Sequence, residues 1–357
     1  MENSVSMSMD IDSQIQPSGE HIHLQKKLSG QDQAVIETSN DALVTKVNAA
    51  SLGYFQDNFS HLFCKTKKKM FPIINRGTWA RVFSIKQITD RFLKAYGATA
   101  DRLNILSLGA GYDTTVFQLQ EQIQQGKLPE SLKGKVTVVE VDFHEVVAKK
   151  IQIIKSKQNL IDLFKTEAEK DINVIHERHI NSHQYKLFSQ DLRETDILQQ
   201  NFLNLGVDFN APTLVITECL LVYMKKQDTD KILSALSSMF ANDLMYVNYE
   251  MIHPGDAFGR VMIENLEDRG CQLLGIHDCP NEDFQIERMK TAAGMTSAEC
   301  YNMSQIYSKK LDQTERARVD RLEIFDEFEE WELLQKHYCV CFAKRIADPT
   351  LDAQIFL

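Results

Sequence analysis

Two patterns predict an α/β fold built on a mostly parallel, doubly wound sheet with an antiparallel edge strand and additional N-terminal helices. After Gly97, short apolar runs alternate with amphipathic segments such as Val116 to Gln125 and Thr229 to Phe240. That alternation is what strands joined by crossover helices produce. A last apolar run, HYCVCFAK, follows a late helical segment and predicts a final strand inserting antiparallel at the sheet edge. No internal repeat of about 20 to 50 residues is visible, which excludes solenoids and propellers.

Residues 1 to 37 are rich in Ser, Gln, Met and Asp without apolar periodicity and read as a disordered tail, leaving one domain over 38 to 357. Helix begins at the capping residues Ser39 and Asn40, buries Leu43, Val47 and Ala50, and stops at Gly53. A second helix is expected from the cap Asn75 to Gly97, with the stripe Val82, Ile85, Ile88, Phe92 and Tyr96. The predicted strands are Asn104 to Leu108, Val136 to Val141, Tyr185 to Ser189, Thr213 to Thr217 and Leu244 to Tyr249. Further helices are expected over Glu145 to Phe164, Asp256 to Asp268, Cys300 to Leu311 and Leu322 to Gln335.

Composition narrows the function. With 40 Lys and Arg against 50 Asp and Glu the net charge is −10, a poor footprint for nucleic acid or an anionic membrane. The seven cysteines form no Cys-x-x-Cys pair and read as free thiols of a reducing compartment. MENSVSMSMD lacks a basic and an apolar region, and no apolar stretch is long enough to span a bilayer, so a cytoplasmic protein is expected. Lys65, Lys67, Lys68 and Lys69 read as a solvated loop. His176, His179 and His183 sit in a polar insertion, and no metal site is expected there.

In doubly wound sheets ligands bind beyond the carboxyl ends of the strands. Those ends carry Gly109 and Gly111, then Asp142, Asp191, Glu218 and Glu250. The first turn, Leu108-Gly109-Ala110-Gly111-Tyr112-Asp113-Thr114, has dinucleotide spacing but Thr114 in place of the third glycine. A pyrophosphate needs that close backbone approach, whereas a ligand with a ribose and no phosphate does not. S-adenosylmethionine is such a ligand: Asp142 stands where an acid meets a ribose diol, Asp191 could meet the adenine amino group, and Glu218 could face the sulfonium or the ammonium. Two cations point the same way. Arg81 projects from inside its helix's apolar stripe, and Lys46 falls among Ala42, Leu43 and Val47. A cation aimed at a core is costly unless an anion meets it, either a structural acid or a ligand carboxylate.

With these residues in place, the sequence resembles the leucine carboxyl methyltransferase family. The matching blocks are NRGTWARV (75 to 82), LSLGAGYDTT (106 to 115), EVDFHEVVAKK (140 to 150), TLVITECLLVYM (213 to 224), VNYEMIHPGDAFGRVMIENL (247 to 266) and FDEFEEWELLQKHYCVCFAK (325 to 344). The resemblance implies a class I S-adenosylmethionine-dependent methyltransferase fold with helices capping the active site. It also implies a monomer that methylates the C-terminal leucine carboxylate of type-2A protein phosphatase catalytic subunits. Carried onto matching positions, the donor contacts are Lys46, Arg81, Gly109, Asp142, Asp191, Leu192 and Glu218, and Tyr223 stands near the transferred methyl, with Arg81 or Tyr223 holding the acceptor. Three other readings stay open: a same-fold methyltransferase of a small carboxylic acid, a dinucleotide oxidoreductase, and a non-catalytic phosphatase-binding protein.

Overall fold

A computed structural model describes residues 28–66 and 68–357. The chain forms one eight-stranded sheet, made of β1 (Leu103–Leu108), β2 (Val136–Asp142), β3 (His179–Asn181), β4 (Tyr185–Ser189), β5 (Thr213–Glu218), β6 (Leu244–Met251), β7 (Ser297–Asn302) and β8 (Tyr338–Arg345), in the order β3-β4-β2-β1-β5-β6-β8-β7. All five expected strands are present as the parallel set β4, β2, β1, β5 and β6. Both faces of β1 and β2 are buried throughout, as a sheet covered by helices on each side requires.

The last strand is antiparallel as expected, but it is not at the edge: β8 lies between β6 and β7. Its composition agrees with that place, since Cys339, Val340, Cys341, Phe342 and Ala343 are all buried and need cover on both sides. The edges fall instead to the short β3, antiparallel to β4, and to the more polar β7. The segment expected as a helix from Cys300 therefore begins as strand, and its helix, Met303–Lys309, starts at a capping box between Asn302 and Gln305. The stretch expected as one helix from Leu322 is helical only over Phe328–Lys336.

Before the sheet come α1 (Gly30–Ser51), α2 (Ser60–Phe63) and α3 (Pro72–Tyr96). The expected tail boundary at residue 37 is too late. Helix α1 starts at Gly30 because Ser29 and Asp32 close a capping box, and the side chain of Gln31 exchanges hydrogen bonds with Gln272. The expected tail over residues 1–27 lies outside the described residues. Helix α3 starts at Pro72, whose missing N–H costs nothing in a first turn. Asn75 is consequently inside the helix, fully buried, accepting from Asn48 Nδ2 at 2.6 Å and donating to Glu323 Oε2 at 2.9 Å. Among the described residues no helix is long and apolar enough to cross a membrane.

Candidate active site

The chain winds to one side of β1 through β2 and β4 and to the other through β5 and β6, so the carboxyl ends of β1 and β5 form a topological switch point. A cavity of about 370 Å³ opens there, roofed by α1 and walled by α3. It is lined by Lys46, Arg81, Gly109, Asp142, Glu218 and Tyr223, so six of the expected site residues converge.

The floor is the turn after β1. Gly109 and Gly111 have φ of +63° and +53°, a region side chains rarely adopt. A Cβ on Gly109 would also lie 2.7 Å from Leu220 Cδ1. Asp113 tightens the turn by accepting from Thr115 N at 2.9 Å and Thr115 Oγ1 at 2.8 Å. Burial works against its charge, but Lys46, Lys150 and the Thr115 bonds outweigh it and hold its carboxyl below the ordinary value. Asp142 accepts from Gly111 N and Phe143 N, each at 2.6 Å, one to each carboxylate oxygen. Burial pushes its pKa up against those bonds. An ionised carboxylate has about four lone-pair sites, so roughly two remain for a ligand.

Opposite stands a three-charge group. Glu218 Oε2 lies 3.4 Å from Arg81 Nε and Glu218 Oε1 lies 3.7 Å from Lys46 Nζ, one acid between two cations. The contact with Glu218 does not satisfy Arg81: its buried Nε and Nη2 have no hydrogen-bond partner among the described residues. The lining thus fits a ligand that brings an anion to Arg81 and needs the space only glycine leaves at the turn. Tyr223 is nearly buried, and burial raises its pKa well above the ordinary value, so its phenol is a donor at neutral pH.

Two expected residues do not line the cavity. Asp191 is turned toward Arg193, whose Nε and Nη2 take both carboxylate oxygens at 2.7 to 3.0 Å, and Arg193 Nη2 reaches Asp32 Oδ1 of α1 at 3.1 Å. Leu192 packs into the core beneath. The three histidines do not converge: His176 and His179 stack at 4.3 Å, while His183 Nε2 lies 2.9 Å from Gly134 O.

Other neighbours of the site were not read from the sequence. Tyr249 and Tyr338 stack at 5.4 Å to form the far wall, a pairing only the β6–β8 contact creates. Cys219 sits at φ +47°, uncommon for a side chain and frequent where a site stores strain. Glu250, the acid near the tip of β6, is buried and off the cavity. Its Oε1 accepts from Leu220 N at 2.9 Å and so anchors the turn that carries Tyr223. Burial pushes Glu250 up to about 7 from 4.5. The folded chain therefore holds that proton more tightly than the unfolded chain, and stability is lost as pH rises between those two values. Glu250→Gln keeps an acceptor for Leu220 but does not titrate. Wild type should lose stability relative to this variant from about pH 5 to 7 in urea denaturation series, and parallel curves would refute the assignment.

The strand order β4-β2-β1-β5-β6-β8-β7 with β8 antiparallel, a glycine turn and an acid at the neighbouring tip define a class I S-adenosylmethionine-dependent methyltransferase. The chain belongs to the leucine carboxyl methyltransferase family, whose model matches residues 25–237. It is 38% identical over 310 residues to the Arabidopsis thaliana leucine carboxyl methyltransferase 1 homolog, covering 87% of this chain and 89% of that one. To the leucine carboxyl methyltransferase 1 of Rattus norvegicus it is 36% identical over 315 residues, covering 88% and 90%. The magnesium protoporphyrin IX methyltransferase of Synechocystis PCC 6803, solved with bound SAH, matches at 12% identity and TM-score 0.38, covering 85% of this chain and 99% of that one.

Proposed function

We propose that this chain, as a cytoplasmic monomer, transfers a methyl group from S-adenosylmethionine to the α-carboxylate of the C-terminal leucine of type-2A protein phosphatase catalytic subunits. The observation that carries the reading is Arg81, a half-buried cation whose Nε and Nη2 have no hydrogen-bond partner among the described residues, in the cavity of a leucine carboxyl methyltransferase family member. Lys46, Arg81, Gly109, Asp142 and Glu218, which line the cavity, are assigned to the donor, and Arg81 and Tyr223 to the reaction; Asp191 and Leu192, just past the end of β4 and outside that lining, are assigned to the donor's adenine end.

When bound, S-adenosylmethionine supplies an electrophilic methyl group on a sulfonium. The free lone pairs of Asp142 receive a ribose diol, while Glu218 balances the positive groups around it. An acceptor carboxylate is already ionised near pH 7, so the chain needs no general base. Its task is alignment and drying. Val35, Ile36 and Leu43 of α1 present apolar surface over the cavity, which strips water from an incoming anion. The planar guanidinium of Arg81 can hold one carboxylate oxygen and leave the other free to attack. The phenol of Tyr223 can steady the same group by donating, without taking a proton.

Labelled-methyl transfer to the purified phosphatase catalytic subunit tests this, using its native tail, a tail lacking the terminal leucine, and a C-terminally amidated tail. Only the native tail should gain label, as a base-labile ester. Label on the amidated tail, a base-stable product, or turnover of small carboxylic acids in place of the phosphatase would overturn it.

A further inference from the structure

A further cation is carried into the interior by a helix stripe. In the helix His144–Lys155 the buried face is Val146, Val147, Ile151 and Ile154, and Lys150 lies among them with its side chain fully buried. An ammonium brings three donors and no acceptor, so a lysine in such a stripe must find an anion or carbonyls. Lys150 finds both. Its Nζ donates to Glu140 Oε2 at 2.5 Å and to the backbone oxygen of Asp113 at 2.6 Å. Tyr185 Oη, from β4, donates to the same Glu140 oxygen at 2.7 Å, and the Phe63 ring lies 6.0 Å from Nζ.

The placement follows from local geometry. Glu140 and Asp142 are two residues apart on β2 and project to one face of the sheet, and the helix that follows brings Lys150 back to that face. The stretch from 140 to 150 therefore grips the glycine turn at two points of opposite polarity. Asp142 accepts from Gly111 N, and Lys150 donates to the carbonyl of Asp113. Asp113 lines the cavity, and its own N–H closes the turn on Ala110 O at 2.9 Å.

As a source of stability this buried pair is a poor choice. Apolar residues of the same volume commonly stabilise as well or better, and Glu140 Oε1, equally buried, has no hydrogen-bond partner among the described residues. What an apolar pair lacks is a donor for Asp113. The other bonds of that residue go to neutral groups, Ser107, Ala110 and Thr115, so Lys150 makes the charge-assisted bond at the turn's end.

We infer that Lys150 is a positioning residue for the methyl donor: oriented by Glu140 and Tyr185, it pins the Asp113 carbonyl and keeps the turn after β1 in the shape that S-adenosylmethionine binds. Lys150 does not line the cavity, so it acts through the turn. Its effect falls on donor affinity, while the methyl-transfer step and acceptor binding stay as they are. The inference rests on the donor reading above and is independent of the acceptor's identity.

Lys150→Met alone would leave Glu140 buried and unpaired, which destabilises a fold strongly. The test is therefore the double variant Lys150→Met/Glu140→Gln in the full chain, which removes both charges, nearly preserves both volumes and leaves an amide oxygen for Tyr185. Beside it stands Glu140→Gln alone, which still accepts from Lys150 and so retains the bond to Asp113. Each is followed by thermal melting, by isothermal titration with S-adenosylmethionine and by steady-state methyl transfer to the phosphatase catalytic subunit. The double variant should melt within about 5 °C of wild type. It should bind the donor about 10-fold more weakly, with a matching rise in donor KM, while kcat at saturating donor and the acceptor KM stay within about 2-fold. Glu140→Gln should lose no more than about 2-fold in donor affinity. A folded double variant with wild-type donor affinity overturns the inference. So does a kcat or acceptor KM that moves as far as the donor KM, or a double variant that does not fold, either of which would mark the pair as a support of the structure at large. An equal loss in Glu140→Gln overturns it too, because the ion pair and not the bond to Asp113 would then govern binding. Wild type that binds no S-adenosylmethionine refutes the donor reading itself, whereas normal binding in wild type and double variant alike refutes only the inference.

Discussion

Arg81→Lys should fold normally and lose most of its methyl-transfer activity, with kcat/KM down about 100-fold or more. The expectation follows from what surrounds the guanidinium. It leaves α3 into the cavity, its Nε stands 3.4 Å from Glu218 Oε2, and its buried Nε and Nη2 have no hydrogen-bond partner among the described residues. Glu218 balances the charge at that distance but leaves both donors unfilled, and unfilled buried donors of a charged group cost free energy, so the site suits a further acceptor such as a carboxylate. Lysine retains the charge, and with it the attraction to Glu218, so the melting temperature should change little. It loses the planar fork, whose donors at fixed spacing orient a carboxylate. Isothermal titration with S-adenosylmethionine, run beside the turnover assay, tells which carboxylate is held. Weaker donor binding points to the donor's own carboxylate, and normal binding with collapsed turnover points to the acceptor's. A folded Arg81→Lys enzyme with more than a third of wild-type activity would refute the role.

Asp142→Ala should abolish the thermal stabilisation that S-adenosylmethionine confers, with donor affinity down roughly 100-fold. Two effects combine. The variant loses the acceptor proposed for the ribose diol, and it releases Gly111 N and Phe143 N, both bound at 2.6 Å, so the glycine turn is no longer held in its binding shape. Each charge-assisted bond of this kind is worth about 1.5 to 3 kcal/mol. Because alanine also leaves buried N–H groups unpaired, some loss of intrinsic stability is expected. Asp142→Asn separates the two effects: it retains the volume and one acceptor oxygen, should fold more stably than the alanine variant, and should bind donor with intermediate affinity. Unchanged affinity in either folded variant would end the ribose assignment.

Local period and local chemistry account for much of this protein's architecture. The five parallel strands were legible because fully buried strands are short apolar runs, and their tips located Gly109, Asp142 and Glu218 by position alone. Arg81 was legible because a charge inside a 3.6-residue apolar stripe must face the interior. β7 and the start of α1 give no such signal: the exposed edge pattern of SAECYN carries no apolar run, and the cap Ser29 precedes the first sustained apolar face.

Tertiary structure alone decided which buried surfaces and polar partners meet. Nothing in HYCVCFAK states that it separates β6 from β7, since a burial pattern says that both faces are covered and not by what. Asp191 and Glu250 look alike as strand-tip acids, yet one is held by Arg193, which also reaches Asp32 161 positions away, and the other clamps the backbone of Leu220. Such partnerships are set by non-local distances of a few ångströms, and hydrogen bonds and ion pairs decay over that same range. Periodicity therefore fixes where a side chain points, while the fold fixes what it finds there.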